Sequence, residues 1–337
     1  MASLHLVDRS PVVPADQLLA ALVPPPRFST ARFQTYLPDP AQPSQAAAVV
    51  ALKAFAATLP PPPRRLFGRA RLTGRPGVYL DGGFGVGKTH LLASLWHAAP
   101  GPKAYGTFVE LTHLVGALGF AATVTALSGY RLIAIDEFEL DDPGDTVLVS
   151  TLLARLVAEG VHVAVTSNTL PGSLGEGRFA AADFLREIQA LSAHFTPVRV
   201  DGEDYRHRGL PAAPTPAPEA ELLTRAAAEP TASHDDFTDL LSHLATLHPS
   251  RYGALVDDVS LVCLSHVVEV TDQSAALRLV VLVDRLYDRD IPVLTSGLPL
   301  DRLFPELLLT GGYRKKYLRA VRRLTAQARQ AGHPPTR

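Results

Sequence analysis

Eight residues, Gly82-Gly-Phe-Gly-Val-Gly-Lys88-Thr89, fit the pattern G-x-x-x-x-G-K-[ST] and leave few folds open to the chain. The apolar run Val78 to Leu80 precedes them, and Leu91, Leu92, Leu95 and Trp96 follow at helical spacing, so the local order is strand, loop, helix. Glycines let the main chain curl until successive N–H groups face one anion, and the helix behind the loop adds its positive N-terminal end. The expected ligand is the phosphate tail of a nucleotide, cradled by Gly82, Gly83, Phe84, Gly85, Val86, Gly87, Lys88, Thr89 and His90. Lys88 would reach the β- and γ-phosphates, and the Thr89 hydroxyl would sit on Mg²⁺. ATP and Mg²⁺ are therefore the cofactors to expect. A turn that merely packs a strand on a helix has no need of Lys-Thr at that offset.

A second motif lies 48 positions beyond Lys88: the apolar run Leu132-Ile-Ala-Ile135 ends in Asp136-Glu137, carboxylates at the point where a strand leaves its sheet. Asp136 suits a metal-holding role, and Glu137 suits the orientation and deprotonation of an attacking water, because phosphoryl transfer depends on positioning and charge stabilisation. Glu139, Asp141 and Asp142 read as a solvated turn or helix start. Another buried run, Val161 to Thr166, ends at Asn168. In a sheet where the Asp136 strand neighbours the phosphate strand, Asn168 can bond the attacking water or the γ-phosphate and report hydrolysis, a role the motif order favours over that of a strand-end turn residue.

Short β-branched runs of this kind, with the helix Thr146 to Ala158 between the second and third, are what a parallel sheet buried on both faces requires. Val198 to Val200 offers a further strand. The division expected is an N-terminal arm and helix over 1–63, an ATPase core over 64–208, a proline-rich linker over 209–232 and a C-terminal α/β unit over 233–337. Within the last, Phe237 to Leu247 and Ala275 to Arg289 read as helices and Val259 to Leu264 and Ile291 to Thr295 as strands. The stretch Leu156 to Leu174 echoes Leu286 to Leu303, each running from helix end through strand to Thr-Ser and Leu-Pro; one echo between αβ units does not establish a duplication. At 337 residues, 47% of them hydrophobic, the chain can bury two cores, and its 29 prolines imply long irregular connections. Lys plus Arg total 32 and Asp plus Glu 33, so no global charge attracts nucleic acid or membrane. The single cysteine, Cys263, excludes an intrachain disulfide, and no run reaches the roughly 18 apolar residues of a membrane span. A cytoplasmic protein is the expectation.

Taken together, these residues resemble the AFG-like AAA+ ATPases, the ZapE-type family of bacterial cell division and its mitochondrial relatives. The likeness runs from about Asp39 to Arg323 and rests on Asp39-Pro-Ala-Gln42, Gly77 to Thr89, Ile135-Asp-Glu-Phe138, Thr166-Ser-Asn168, Asp201-Gly-Glu-Asp-Tyr-Arg206, Leu282-Val-Asp-Arg-Leu-Tyr-Asp288 and Tyr317 to Leu324. The resemblance implies a P-loop NTPase of AAA+-like build, a three-layer α/β sandwich on a mostly parallel sheet with a C-terminal α/β extension. It further implies a homo-oligomer, rings or clusters, that couples ATP hydrolysis to remodelling a protein client, FtsZ in bacteria. It suggests Gln42 near the adenine, Arg278 as a second sensor, and a trans-acting arginine for which Arg178, behind a flexible Gly-Glu-Gly, is preferred over the helical Arg186. A family Arg-rich stretch is thinned here to those two arginines.

After Glu306 no acidic residue occurs, while Arg314, Lys315, Lys316, Arg319, Arg322, Arg323, Arg329 and Arg337 accumulate. Tyr317, Val321, Leu324 and Ala328 fall at helical spacing, which predicts an amphipathic helix with its basic groups outward. That face is either ordinary solvated surface or a contact for nucleic acid, anionic lipid or an acidic partner. The alternative function is accordingly a nucleic-acid-handling ATPase similar to helicase loaders.

Overall fold

A strand can sit in the middle of a parallel sheet only if it is apolar on both faces, and the runs noted above meet that condition. The computed structural model describes residues 4–59, 75–83, 85–139, 143–170, 174, 185–202 and 213–332. Contacts divide the chain into two units, residues 15–207 and residues 1–14 with 208–337. In the first unit β1 (Gly77–Gly82), β2 (Lys103–Thr107), β3 (Leu132–Asp136), β4 (His162–Ser167) and β5 (Phe195–Val200) form one parallel sheet in the order β2-β3-β4-β1-β5. The three inner strands are buried along their whole length, whereas the edge strand β5 mixes buried and exposed positions.

Alternate side chains go to opposite faces and meet different helices. Val78, Leu80, Leu132, Ala134 and Ala164 join Leu91, Leu92 and Leu95 of the helix Lys88–Ala98, together with Ala48 and Leu52 of the helix Pro43–Thr58. Tyr79, Ile133, Ile135, Val163 and Val165 join Phe108, Leu111 and Leu114 of Phe108–Leu118, and Val149, Leu152 and Leu156 of Pro143–Ala158, on the other face. The result is a sheet between two helical layers. The edge of β2 is covered in part, where Tyr105 N–H donates to Leu22 O (2.8 Å).

One expectation is corrected here. The strand carrying Asp136 does not adjoin the phosphate strand; β4 lies between them, pairing with β3 on one side and β1 on the other. Fully buried from His162 to Ser167, β4 is as fit for the interior as its neighbours. With Leu80 opposite Thr166 and Asp81 opposite Ser167, the turn after β4 emerges beside the loop after β1.

The second unit has its own sheet, separate from the first: β6 (Ala232–Asp236), β7 (Leu261–Val267) and β8 (Val293–Gly297), parallel and in sequence order. Leu4 forms a parallel bridge to Ser233, and the buried Asp235 carboxylate accepts the N–H groups of Leu6 and Val7, both at 3.1 Å. The first residues of the chain therefore pack with the C-terminal unit, while the helix Pro43–Thr58 stays with the first. On one face, the helices Phe237–Thr246, Gln273–Asp288 and Arg314–Gly332 enclose a core that includes Leu240, Leu279, Val283, Tyr317, Val321 and Leu324. Glu219–Ala228 covers the other face with Leu222 and Ala226 against Leu261 and Cys263. Burial pushes the Cys263 thiol up to about 12, so it behaves as a small apolar group.

Part of the basic tail faces inward. Arg319 and Arg323 donate to the two oxygens of Asp284, at 2.8 and 2.5 Å, and Arg323 also lies 4.8 Å over the Tyr287 ring. Two of the family-like segments thus bind each other. Among the described residues no single helix is long and apolar enough to cross a membrane.

Candidate active site

The loop after β1 is shaped by two left-handed glycines, Gly85 (φ 80°) and Gly87 (φ 87°), and Gly87 opens the helix Lys88–Ala98 with no side chain capping it. First-turn N–H groups without a capping side chain are the donors an anion needs. A Cβ at Gly87 would come within 2.6 Å of the Tyr36 ring, so glycine is required there for space as well as for φ. Tyr36 holds the loop from outside, its Oη donating to Val86 O at 2.9 Å. Phe84 lies outside the described residues. His90 turns toward the N-terminal segment, within hydrogen-bond distance of Thr35 Oγ1 (3.0 Å) and Arg32 O (3.2 Å).

Lys88 is buried, and its ammonium donates to Gly82 O (2.8 Å), Gly83 O (2.5 Å) and Asn168 Oδ1 (2.9 Å). Burial pushes it down to about 8 against the opposing pull of Asp136, Glu139 and Asp81. Asp136 ends β3 beside it and collects three hydroxyls: Thr166 Oγ1, Tyr105 Oη at 3.1 Å and Thr89 Oγ1 at 3.3 Å. Glu137 follows in a left-handed conformation (φ 54°), fixed by its N–H to Thr166 Oγ1 (3.0 Å). A non-glycine residue held there stores on the order of 1 kcal/mol, the kind of strain that gathers at functional sites. Lys88, Thr89, Asp136, Glu137 and Asn168 therefore converge on one loop. A hydroxyl and a carboxylate 3.3 Å apart, both hard oxygen donors beside an anion cradle, fit a nucleotide-bound Mg²⁺.

Glu139 corrects a second expectation, because it is not a solvated turn. Its carboxylate accepts from Ser167 Oγ (3.0 Å), Asn168 N–H (2.9 Å) and Thr169 Oγ1 (3.0 Å), and so holds the turn that presents Asn168 to Lys88. Tyr79 Oη adds a bond to Thr169 O (2.6 Å) from β1. The pattern of an acidic residue two places beyond Glu137 carried no signal until the strand order was known. Tyr105 and Thr166 were likewise not legible as partners of Asp136, since nothing in the sequence marks β2 and β4 as the two neighbours of β3. Asp141, Asp142 and Arg178 lie outside the described residues. Arg186 is exposed on the helix Leu185–Ala193, and Arg278 lies in the C-terminal unit on Gln273–Asp288.

The flanking segments close on the same loop. Gln45 donates to Asp201 O (2.8 Å) and accepts from Asp39 N–H (2.9 Å), so the buried contact beyond the Asp39-to-Gln42 turn is made by Gln45, three residues past Gln42. A Cβ on Gly202 would lie 2.5 Å from Val86 Cγ1, which brings the Asp201-Gly202 segment against the loop. Arg199 bridges the buried Asp81 and Asp201, both at 2.6 Å, and its guanidinium holds the Asp201 carboxyl below the usual carboxylate range.

A parallel α/β sheet in this strand order, with a glycine loop and lysine after β1 and an acidic pair after β3, defines a P-loop nucleotide-binding domain of AAA+-like build. The chain belongs to the AFG1-like ATPase family, whose sequence profile matches residues 12–229 and 216–331. It is similar to the cell division protein ZapE of Escherichia coli (strain K12), 30% identical over 154 residues that make up 40% of this chain and 39% of that protein. The match thus spans about two fifths of the relative's length. Among solved structures it is similar to DnaI (19% identity, 52% of this chain and 94% of that chain, TM-score 0.40). It is also similar to the DnaC helicase loader (17% identity, 52% and 99%, TM-score 0.37).

Proposed function

We propose that this protein binds ATP with Mg²⁺ on Gly82 to Thr89, hydrolyses it, and couples the reaction to remodelling a protein partner in the cytoplasm, in bacterial cell division. The observation that carries the reading is the meeting of Lys88, Thr89, Asp136 and Asn168, delivered by one helix and the ends of two separate strands, around a single glycine loop. Lys88 exchanges its bonds to Gly82 and Gly83 for the β- and γ-phosphates, and the first-turn N–H groups take the remaining phosphate oxygens. Thr89 and Asp136 hold the metal, with Tyr105 and Thr166 orienting the carboxylate. The chemistry supplied by magnesium, when bound, is neutralisation of charge on the β- and γ-phosphate oxygens. Glu137 takes the proton of the attacking water, and Asn168 orients that water or the γ-phosphate. Arg178 serves a neighbouring subunit's nucleotide in a homo-oligomer.

The client is an FtsZ-like division protein, by way of the likeness to ZapE. A nucleic-acid partner is disfavoured by the engagement of Arg319 and Arg323 with Asp284, which turns both guanidiniums onto one carboxylate and offsets one of their charges. The test is ATP turnover by the full chain with FtsZ polymer, with single-stranded DNA and with neither, each at two salt concentrations. Stimulation by FtsZ alone is expected. Stimulation by DNA that falls steeply with salt would overturn the protein-client reading.

A further inference from the structure

The two sheets match at positions where strand–helix alternation alone demands nothing. In the first unit β2 runs straight into its helix with Thr107 as N-cap and Phe108 first in the helix; in the second β6 does the same with Asp236 and Phe237. Thr107 lies opposite Asp136, and Asp236 lies opposite Ser265, so an offset of 129 positions carries one pair onto the other. That offset takes Tyr105, which bonds Asp136 (3.1 Å), to His234, which bonds Ser265 Oγ (2.7 Å). It takes Glu137 to His266. Both are left-handed, φ 54° and 55°, and both donate N–H to a hydroxyl on the next strand, Thr166 Oγ1 at 3.0 Å and Ser296 Oγ at 3.1 Å.

Beyond this point the offset becomes 130 and the agreement continues. The helices Pro143–Ala158 and Gln273–Asp288 each have 16 residues. Both are left through a left-handed residue, Gly160 or Asp290, and through equal bonds of 3.0 Å, Val161 N–H to Leu156 O and Ile291 N–H to Leu286 O. On the opposite face, Leu92 shares a core with Leu132, Ala134 and Ala164, and Leu222 shares one with Leu261, Cys263 and Leu294. The helix Glu219–Ala228 therefore answers to Lys88–Ala98, with Glu219 at the position of Thr89 and Pro218 at that of Lys88.

Here the chemistry changes sides. In the first unit the Thr89 hydroxyl faces the Asp136 carboxylate at 3.3 Å; in the second the Glu219 carboxylate accepts from the Ser265 hydroxyl at 2.5 Å and from the Ser296 hydroxyl. The loop ahead of Glu219 contains Pro214, Pro216 and Pro218, and proline has no N–H to offer an anion. We propose that the C-terminal unit is a second copy of the phosphate-binding half of this fold, in which the carboxylate–hydroxyl pair has exchanged strands and helix and ties the strand ends together in place of a nucleotide. Each chain then carries one nucleotide site and one closed copy. The hydroxyls of Ser265 and Ser296 hold the Glu219 carboxyl below the usual range, so the unfolded chain takes up that proton first as the pH falls. The tie contributes stability above the unfolded carboxylate value and loses it in acid.

The exchange can be reversed in the full chain. Glu219→Thr strips two hydroxyls of their acceptor, and Ser265→Asp sets a second carboxylate against Glu219, so each alone is expected to lower the unfolding temperature by about 4 °C or more. The double variant restores the hydroxyl–carboxylate pair of the first unit and should recover at least half of the summed loss. Simple additivity would overturn the correspondence. Should Ser265→Asp fail to fold, Glu219→Gln serves instead: it should lower the unfolding temperature at pH 7 and flatten its decline in acid, and an unchanged profile would overturn the tie. ATP binding should saturate at one per chain and weaken at least about 100-fold in Lys88→Ala; a second equivalent bound per chain, or parent-like affinity in that variant, would contradict a closed copy. Unfolding does not depend on turnover, so the failure of either reading is distinguishable from failure of the other.

Discussion

Removing the Glu139 carboxylate tests whether the turn after β4 is a working part of the site. Glu139→Ala deletes three hydrogen bonds of 2.9 to 3.0 Å, to Ser167 Oγ, Asn168 N–H and Thr169 Oγ1. Bonds to a charged acceptor contribute roughly 1.5 to 3 kcal/mol each when buried. Glu139 is half-buried, so about 1 kcal/mol each, or about 3 kcal/mol in all, is the sounder figure. Tyr79 still holds Thr169 from β1, so the turn loosens without unfolding. If most of that energy serves to keep Asn168 in line with the attacking water, kcat falls about 10- to 100-fold, since each ~1.4 kcal/mol is a factor of ten. The nucleotide Kd should move by less than about threefold, because the loop glycines and Lys88 are untouched. Steady-state turnover, nucleotide titration and an unfolding curve on the same preparation separate the three effects. A kcat within twofold of the parent, in a background where Asn168→Ala is slow, would refute the reasoning.

Three further outcomes are expected. Glu137→Gln should bind ATP normally and slow hydrolysis by about 10² or more, measured as single-turnover phosphate release. Tyr36→Phe removes the 2.9 Å bond that holds Val86 O and should weaken ATP binding about fivefold, near 1 kcal/mol, in a calorimetric titration. Asp284→Asn leaves Arg319 and Arg323 facing a neutral partner and should destabilise the C-terminal unit by about 2 to 3 kcal/mol, read from urea unfolding. Burial raises the Asp284 carboxyl, but the two guanidiniums outweigh it and hold the group below the usual carboxylate range. The triad's contribution is therefore present above the unfolded value near ~3.9 and lost as pH falls through the folded one, a dependence that Asp284→Asn should abolish.

Features set by local chemistry could be read from the sequence, and those set by pairing could not. The loop from Gly82 to Thr89 and the strands ending at Asp136 and Asn168 announce themselves, because glycine, lysine and β-branched residues act through their own backbone and burial. Strands β2 and β6, Lys-Ala-Tyr-Gly-Thr and Ala-Ser-His-Asp-Asp, lack any apolar run and exist because a neighbouring strand pairs with them. Tyr105 therefore stayed hidden as a partner of Asp136, while the roles of Thr166 and Glu139 depend on β4 lying beside β3. The packing of Leu4 to Val7 against Ser233 and Asp235, more than 200 residues away, depends on a bridge and a buried carboxylate that no periodicity encodes. The echo between Leu156 and Leu286 was legible in sequence, but its meaning depended on matched hydrogen bonds and left-handed residues.

The most direct measurement is equilibrium binding of ATP with magnesium to the purified chain beside its Lys88→Ala variant, under identical conditions. The parent should bind one nucleotide with a dissociation constant in the micromolar range typical of such sites, and the variant should bind at least about 100-fold more weakly, the loss of a buried ammonium from the phosphates. Equal affinity in the two proteins, or none in the parent, would contradict a phosphate site at this loop.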